Sequence, residues 1–115
     1  MPIQNFKSLG TSKAKKNALK ILEAGLSTAE PKNFLKFFIN KNEIHIGKSR
    51  IILSNYGKIF VVSYGKAADS MAKFVSELLN VSQGIVVIPK YTKSRLIDKN
   101  FKIFYSGHPL PDRES

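Results

Sequence analysis

The chain has no cysteine, which excludes disulfides, thiolate zinc sites, cysteine nucleophiles and iron–sulfur clusters together. The same absence suits a reducing, cytoplasmic compartment. No apolar run approaches the roughly 18 residues of a membrane span, and residues 1–10 carry no apolar core of signal-peptide length. Acidic residues are scarce, 8 against 19 basic ones, for a formal charge of +11. Arginine is scarcer still, with only Arg50, Arg95 and Arg113. Histidine is limited to His45 and His108, far apart in the sequence. With no HExxH motif and no carboxylate cluster, no metal site is expected from spacing.

What is present is a 115-residue chain in which 43% of residues are hydrophobic. That length allows one domain at most, and that apolar content is too high for a disordered chain. The positive charge makes nucleic acid the first partner to weigh. Its make-up disfavours that partner, because lysine is a hydrated point charge whereas arginine is the preferred fork for phosphate and guanine. The lysines also spread from Lys7 to Lys102. A small basic nucleic-acid-binding module stays as the alternative reading, and a solvated surface is the main one.

The hydrophobic pattern predicts an α/β fold. Ala14, Ala18, Ile21, Leu22 and Leu26 recur at helical spacing over 11–30, with Thr11 or Ser12 as cap. Glu30-Pro31 breaks the helix, and Pro31 suits the first turn of a second one that carries Phe34, Leu35, Phe37 and Phe38 and ends at 40–42. Alternation at Ile44 and Ile46, a turn at 47–49 and an apolar return at 50–53 predict a small hairpin over about 43–53, with His45 exposed on its polar side. The runs at 58–62 and 85–88 are of the kind buried on both sheet faces. Between them Ala68, Met71, Ala72, Val75, Leu78 and Leu79 mark one helix face, while Asp69, Lys73 and Glu77 set up two opposite-charge pairs on another. The segment over about 58–88 is therefore one βαβ unit with a parallel strand pair. A last strand is expected over about 101–105.

Two segments could carry chemistry. The first is the turn from Ser63 to Ala68, where a buried strand hands over to a helix. Free backbone amides and the helix dipole favour an anion there. Gly65 would let the backbone approach it, and Lys66 could add a positive charge. This is no Walker loop, since Phe60 stands where the first glycine is needed and Ala67 where Ser or Thr must hold Mg²⁺. The second segment is 106–112, a strand-end loop restricted by Pro109 and Pro111, which could hold His108 and Asp112 against a polar substrate.

In order along the chain, residues 18–26 (ALKILEAGL), 65–72 (GKAADSMA) and 107–112 (GHPLPD) resemble the start of the class II glycerate 2-kinases, the MOFRL-associated glycerate kinase family. The resemblance implies a Rossmann-like α/β domain and ATP-dependent phosphorylation of D-glycerate at its 2-hydroxyl with Mg²⁺, giving 2-phosphoglycerate. It also implies that Lys66 is the catalytic lysine, and that Gly65, Lys66, His108 and Asp112 bind substrate or phosphate, the last two by shaping the site. Tyr64 stands where the family carries a small residue. Family members are several times longer, with a glycine-rich phosphate loop and a second domain. The chain is thus expected to be their N-terminal portion, an incomplete domain that is inactive by itself. Such a portion should leave an apolar face open to self-association or to the missing C-terminal part.

Overall fold

The computed structural model describes residues 2–114. A single turn, α1 (Phe6–Leu9), precedes the long helix α2 (Lys13–Ala29); α1 is too short to show any apolar period in the sequence. Ser12, in extended backbone, accepts a hydrogen bond from the Lys15 amide at 3.3 Å and starts α2. Glu30 ends it in extended backbone ahead of Pro31. Helix α3 (Pro31–Leu35) stops well before the expected limit at residue 40. Ile39 leaves the helical path to bridge Ile44, and the Asn40 side chain accepts from the amides of Asn42 and Glu43. The chain reverses there instead of winding on.

The hairpin pairs β1 (Glu43–Ile46) with β2 (Ser49–Ile52), antiparallel, with Ile44 opposite Ile51 and His45 opposite Arg50. Gly47 takes φ +58°, the left-handed backbone that two-residue hairpin turns demand. His45 is half-buried rather than exposed, and its Nε2 lies 2.8 Å from the Glu43 carboxylate. Arg50 donates to the same side chain, its Nε at 2.8 Å. First Arg50 and then His45 hold the Glu43 carboxyl down at about 2.

The rest of the chain forms the parallel sheet predicted from the apolar runs. Strand β3 (Phe60–Tyr64), helix α4 (Ala68–Leu78), strand β4 (Gln83–Pro89) and strand β5 (Phe101–Ser106) follow in order, and the sheet order is β3-β4-β5, all parallel. Val86 and Ile88 of the central strand are wholly buried, and α4 closes over them through Ala68 and Ala72, whose small side chains permit close approach. Gly84 serves the same end: a Cβ there would lie 2.2 Å from the Phe101 ring, well inside any tolerable contact. The β4–β5 connection contains no helix, and its Leu96 joins the core beside Leu79 and Val81.

The expectation that these strands are buried on both faces is not met. Phe60, Val62 and Tyr64 are 65%, 72% and 80% exposed, with Val61 and Ser63 between them half-buried. Helix α4 covers one face, and none of the described residues covers the other. Helix α2 behaves alike: it buries no residue, and Ile21 and Leu22 stand largely exposed. The radius of gyration, 17.8 Å, exceeds the ~13 Å expected of a compact chain of this length.

Candidate anion-binding site

Three parallel strands end side by side, and the candidate site residues Gly65, Lys66, His108 and Asp112 follow the ends of β3 and β5 at that carboxyl edge. At the end of β3, Gly65 adopts φ +106°, a conformation open to glycine and strained for other residues. Its amide donates to the Val87 carbonyl at 3.1 Å and its carbonyl accepts from the Ala68 amide at 3.2 Å. Nothing lies within 4 Å of where a Cβ would stand, so the backbone angle, not crowding, calls for glycine. The turn delivers the chain into α4, whose cap position, Ala67, offers no side-chain acceptor. The Gly65 carbonyl takes the Ala68 amide, no side chain caps the first-turn amides that remain, and the positive end of the helix dipole lies at this turn. Lys66 is exposed and forms no ion pair among the described residues. Tyr64 has the parity of Phe60 and Val62 and so belongs to the open sheet face, away from α4.

Asp69, in the first turn of α4, corrects the pairing expected from spacing. It is buried at 6% exposure, and its carboxylate accepts from the Ser94 hydroxyl and, at 2.8 Å, from the Arg95 amide. It ties the β4–β5 connector to the helix. The other expected pair, Lys73 with Glu77, does form on the solvent side.

At the end of β5 the chain folds on itself through a cis His108–Pro109 peptide. Asp112 Oδ1 accepts from the amides of Gly107 at 3.2 Å and Glu114 at 3.0 Å. A Cβ on Gly107 would meet Asp112 Cγ and the Leu110 carbonyl at 2.7 Å, so the loop can close this tightly only on glycine. Asp112 Oδ2 accepts from Lys90 Nζ at 2.6 Å. Lys90, then the Glu114 amide, hold the Asp112 carboxyl at about 2, and the two carboxylates push Lys90 well above the usual lysine range. His108 is exposed and lines a concavity of about 350 Å³ with Lys90, Tyr91 and Leu110.

The structure thus brings Gly65, Lys66, His108 and Asp112 to one edge, with β4 between the two pairs. Two strand spacings, about 10 Å, separate them. Lys90 is the residue no motif singles out. Its only trace in the sequence is its place directly after the β4 apolar run and Pro89. A larger cleft of about 580 Å³ lies elsewhere, between the hairpin (Ile52) and the far end of α4 (Leu78, Leu79), and holds none of the motif residues. Among the described residues no group of three or more His, Asp or Glu side chains could hold a metal ion, and no helix is long and apolar enough to cross a membrane.

Fold and edge together define an α/β protein with a parallel three-stranded sheet and a glycine turn leading from strand to helix. Residues 17–115 match the family described as Domain of unknown function (DUF4147), and the chain belongs to that family. It is 33% identical over 79 residues to the Glycerate 2-kinase of Pyrococcus horikoshii, covering 64% of this chain and 18% of that protein. It is 38% identical over 63 residues to the D-glycerate 2-kinase of Thermotoga maritima, covering 53% of this chain and 15% of that one. The crystal structure of the PH0495 protein from P. horikoshii OT3 superimposes with a TM-score of 0.70 at 24% identity, over 90% of this chain and 23% of that one. That likeness shows the fold. The chain spans less than a quarter of the length of each of these relatives, and its family relationship is with kinases.

Proposed function

We propose that this chain supplies the substrate-anion site of a glycerate 2-kinase-like protein, with Lys66 as the residue that meets the anion. One observation carries the reading: an unpaired, exposed lysine sits on a glycine turn at φ +106° that opens onto the uncapped N-terminus of α4. The names of the relatives make glycerate the substrate to test. Lys66 would hold the glycerate carboxylate or a transferring phosphoryl group as negative charge moves, which is electrostatic work at a fixed position. Gly65 lets the backbone approach the anion, and His108 and Asp112 shape the far side of the edge.

The chain's own residues do not fit Mg²⁺, because Asp69 and Asp112 are committed to internal partners and no cluster of three potential ligands exists among the described residues. Nor is there a phosphate-binding loop of Walker type for ATP. Phosphoryl transfer depends on positioning and charge neutralisation from several sides, and by itself this chain is expected to be inactive. Titrating D-glycerate and ATP against the wild type and Lys66→Ala tests the reading. Loss of a charged contact should weaken glycerate binding about tenfold or more, and no product should form with either protein. Equal affinity in the two proteins, or turnover by the 115-residue chain, would overturn it.

A further inference from the structure

Of the three strand ends at the carboxyl edge, the motifs account for two. The middle one carries Lys90, whose amide and ammonium both have partners. Its amide donates to the Ser106 carbonyl at 3.0 Å, which anchors its backbone to β5. Its ammonium donates to Asp112 Oδ2 at 2.6 Å and lies 2.9 Å from Glu114 Oε2. Both carboxylates belong to the segment after β5, and Asp112 already gathers the amides of Gly107 and Glu114. The connector that begins at Lys90 is fastened at Ser94 and Arg95 to Asp69 in the first turn of α4. A line of polar contacts therefore runs from the helix behind Lys66, along the connector, to the loop that bears His108.

We propose that Lys90 is a positioning residue of this edge, one that sets the 107–112 loop in place through Asp112 and Glu114 and does not itself bind the anion. The two lysines of the edge divide the work. Lys66 has no internal partner among the described residues and keeps its charge for a ligand, whereas Lys90 is paired, on the exposed edge, with two carboxylates of this chain. The link to a ligand rests on the proposed function, but the fastening of the loop can be measured without one.

The experiment follows the Asp112 carboxyl carbon and the backbone amides by NMR in the wild type, Lys90→Ala and Lys90→Arg, across pH and then with inorganic phosphate. Glu114 and His108, the neighbouring groups that titrate, are followed on their own signals. In the wild type Asp112 should titrate at about 2. Lys90→Ala should raise that midpoint by about one unit or more, as loss of an adjacent opposite charge does, and should shift the amides of residues 107–112. Lys90→Arg should restore both, and phosphate should still perturb Gly65 and Lys66 in Lys90→Ala. An Asp112 midpoint unmoved by Lys90→Ala would overturn the proposal. So would loss of phosphate binding in Lys90→Ala and Lys90→Arg as complete as in Lys66→Ala, which would make Lys90 a ligand contact. A wild type that binds no phosphate would instead overturn the reading of the edge as an anion site, leaving the ligand-free titration to decide the role of Lys90.

Discussion

The two halves of the molecule treat apolar residues in opposite ways. From residue 58 onward, Ala68, Ala72, Leu79, Val81, Val86, Ile88, Leu96 and Phe101 form one buried cluster. Among the described residues before it, Leu35 is the one buried hydrophobic residue, and the 17-residue helix α2 buries none. The difference is not one of composition, since α2 carries Ile21, Leu22 and Leu26 at helical spacing. It is one of what lies opposite. The α2 stripe that turns inward includes Leu19, Glu23 and Ser27, all half-buried, while the apolar stripe looks outward. An amphipathic pattern therefore states that a face expects cover, not that the same chain supplies it.

Substitutions can press on this contrast. The largest effect is expected in the sheet half: Ile88→Ala should cost about 2–5 kcal/mol by removing a fully buried side chain. The matching Ile21→Ala in α2 should stay within about 0.5 kcal/mol. Urea unfolding of the two variants compares them directly, and equal losses would mean that α2 is covered in solution. A smaller loss, about 1–3 kcal/mol, is expected for Gly84→Ala, because the new Cβ would force the Phe101 ring out of its place. The same unfolding measurement reads it, and Phe101→Leu in the Gly84→Ala background should recover part of the loss.

The smallest effect belongs to the hairpin. Glu43 is held at about 2 against an ordinary 4.5. Because the folded value is the lower one, its contribution is fully present above about 4.5 and fades as pH falls toward about 2. Glu43→Gln should flatten that part of the hairpin's acid melting, followed by the amide signals of Ile44 and Ile51. The side chains are exposed enough that high salt should flatten it too.

Much of the fold is legible in the sequence because period and punctuation agree. The apolar runs bounded by Gly65, Gly84 and Pro89 give the parallel strands, and Gly47 between two alternating segments gives the hairpin. What is not legible depends on partners distant in the chain. Asp69 looks like one member of a helix-surface charge ladder until the connector carrying Ser94 and Arg95 is seen to cross it. Lys90 looks like any of the many lysines until strand order places it between the two motif segments. Helix α3 ends early for a reason that lies in Ile44 and Glu43, beyond its own pattern. The site motifs are visible from resemblance, but nothing in their spacing shows that Asp112 gathers the amides of Gly107 and Glu114 and also the ammonium of Lys90 from another strand.

The route from β4 to β5 has a consequence of its own. Parallel neighbours are usually joined through a helix that satisfies its own amides. Here the crossover is irregular, and its amides are served one at a time: Arg95 by Asp69, Leu96 by the Ser94 hydroxyl, Asn100 by Asp98. A passage stitched by a few acceptor atoms can come undone by losing those atoms and the burial of Leu96, without unwinding any regular element. It is the place where the sheet half should first exchange its amide hydrogens with solvent while the strands on either side stay protected.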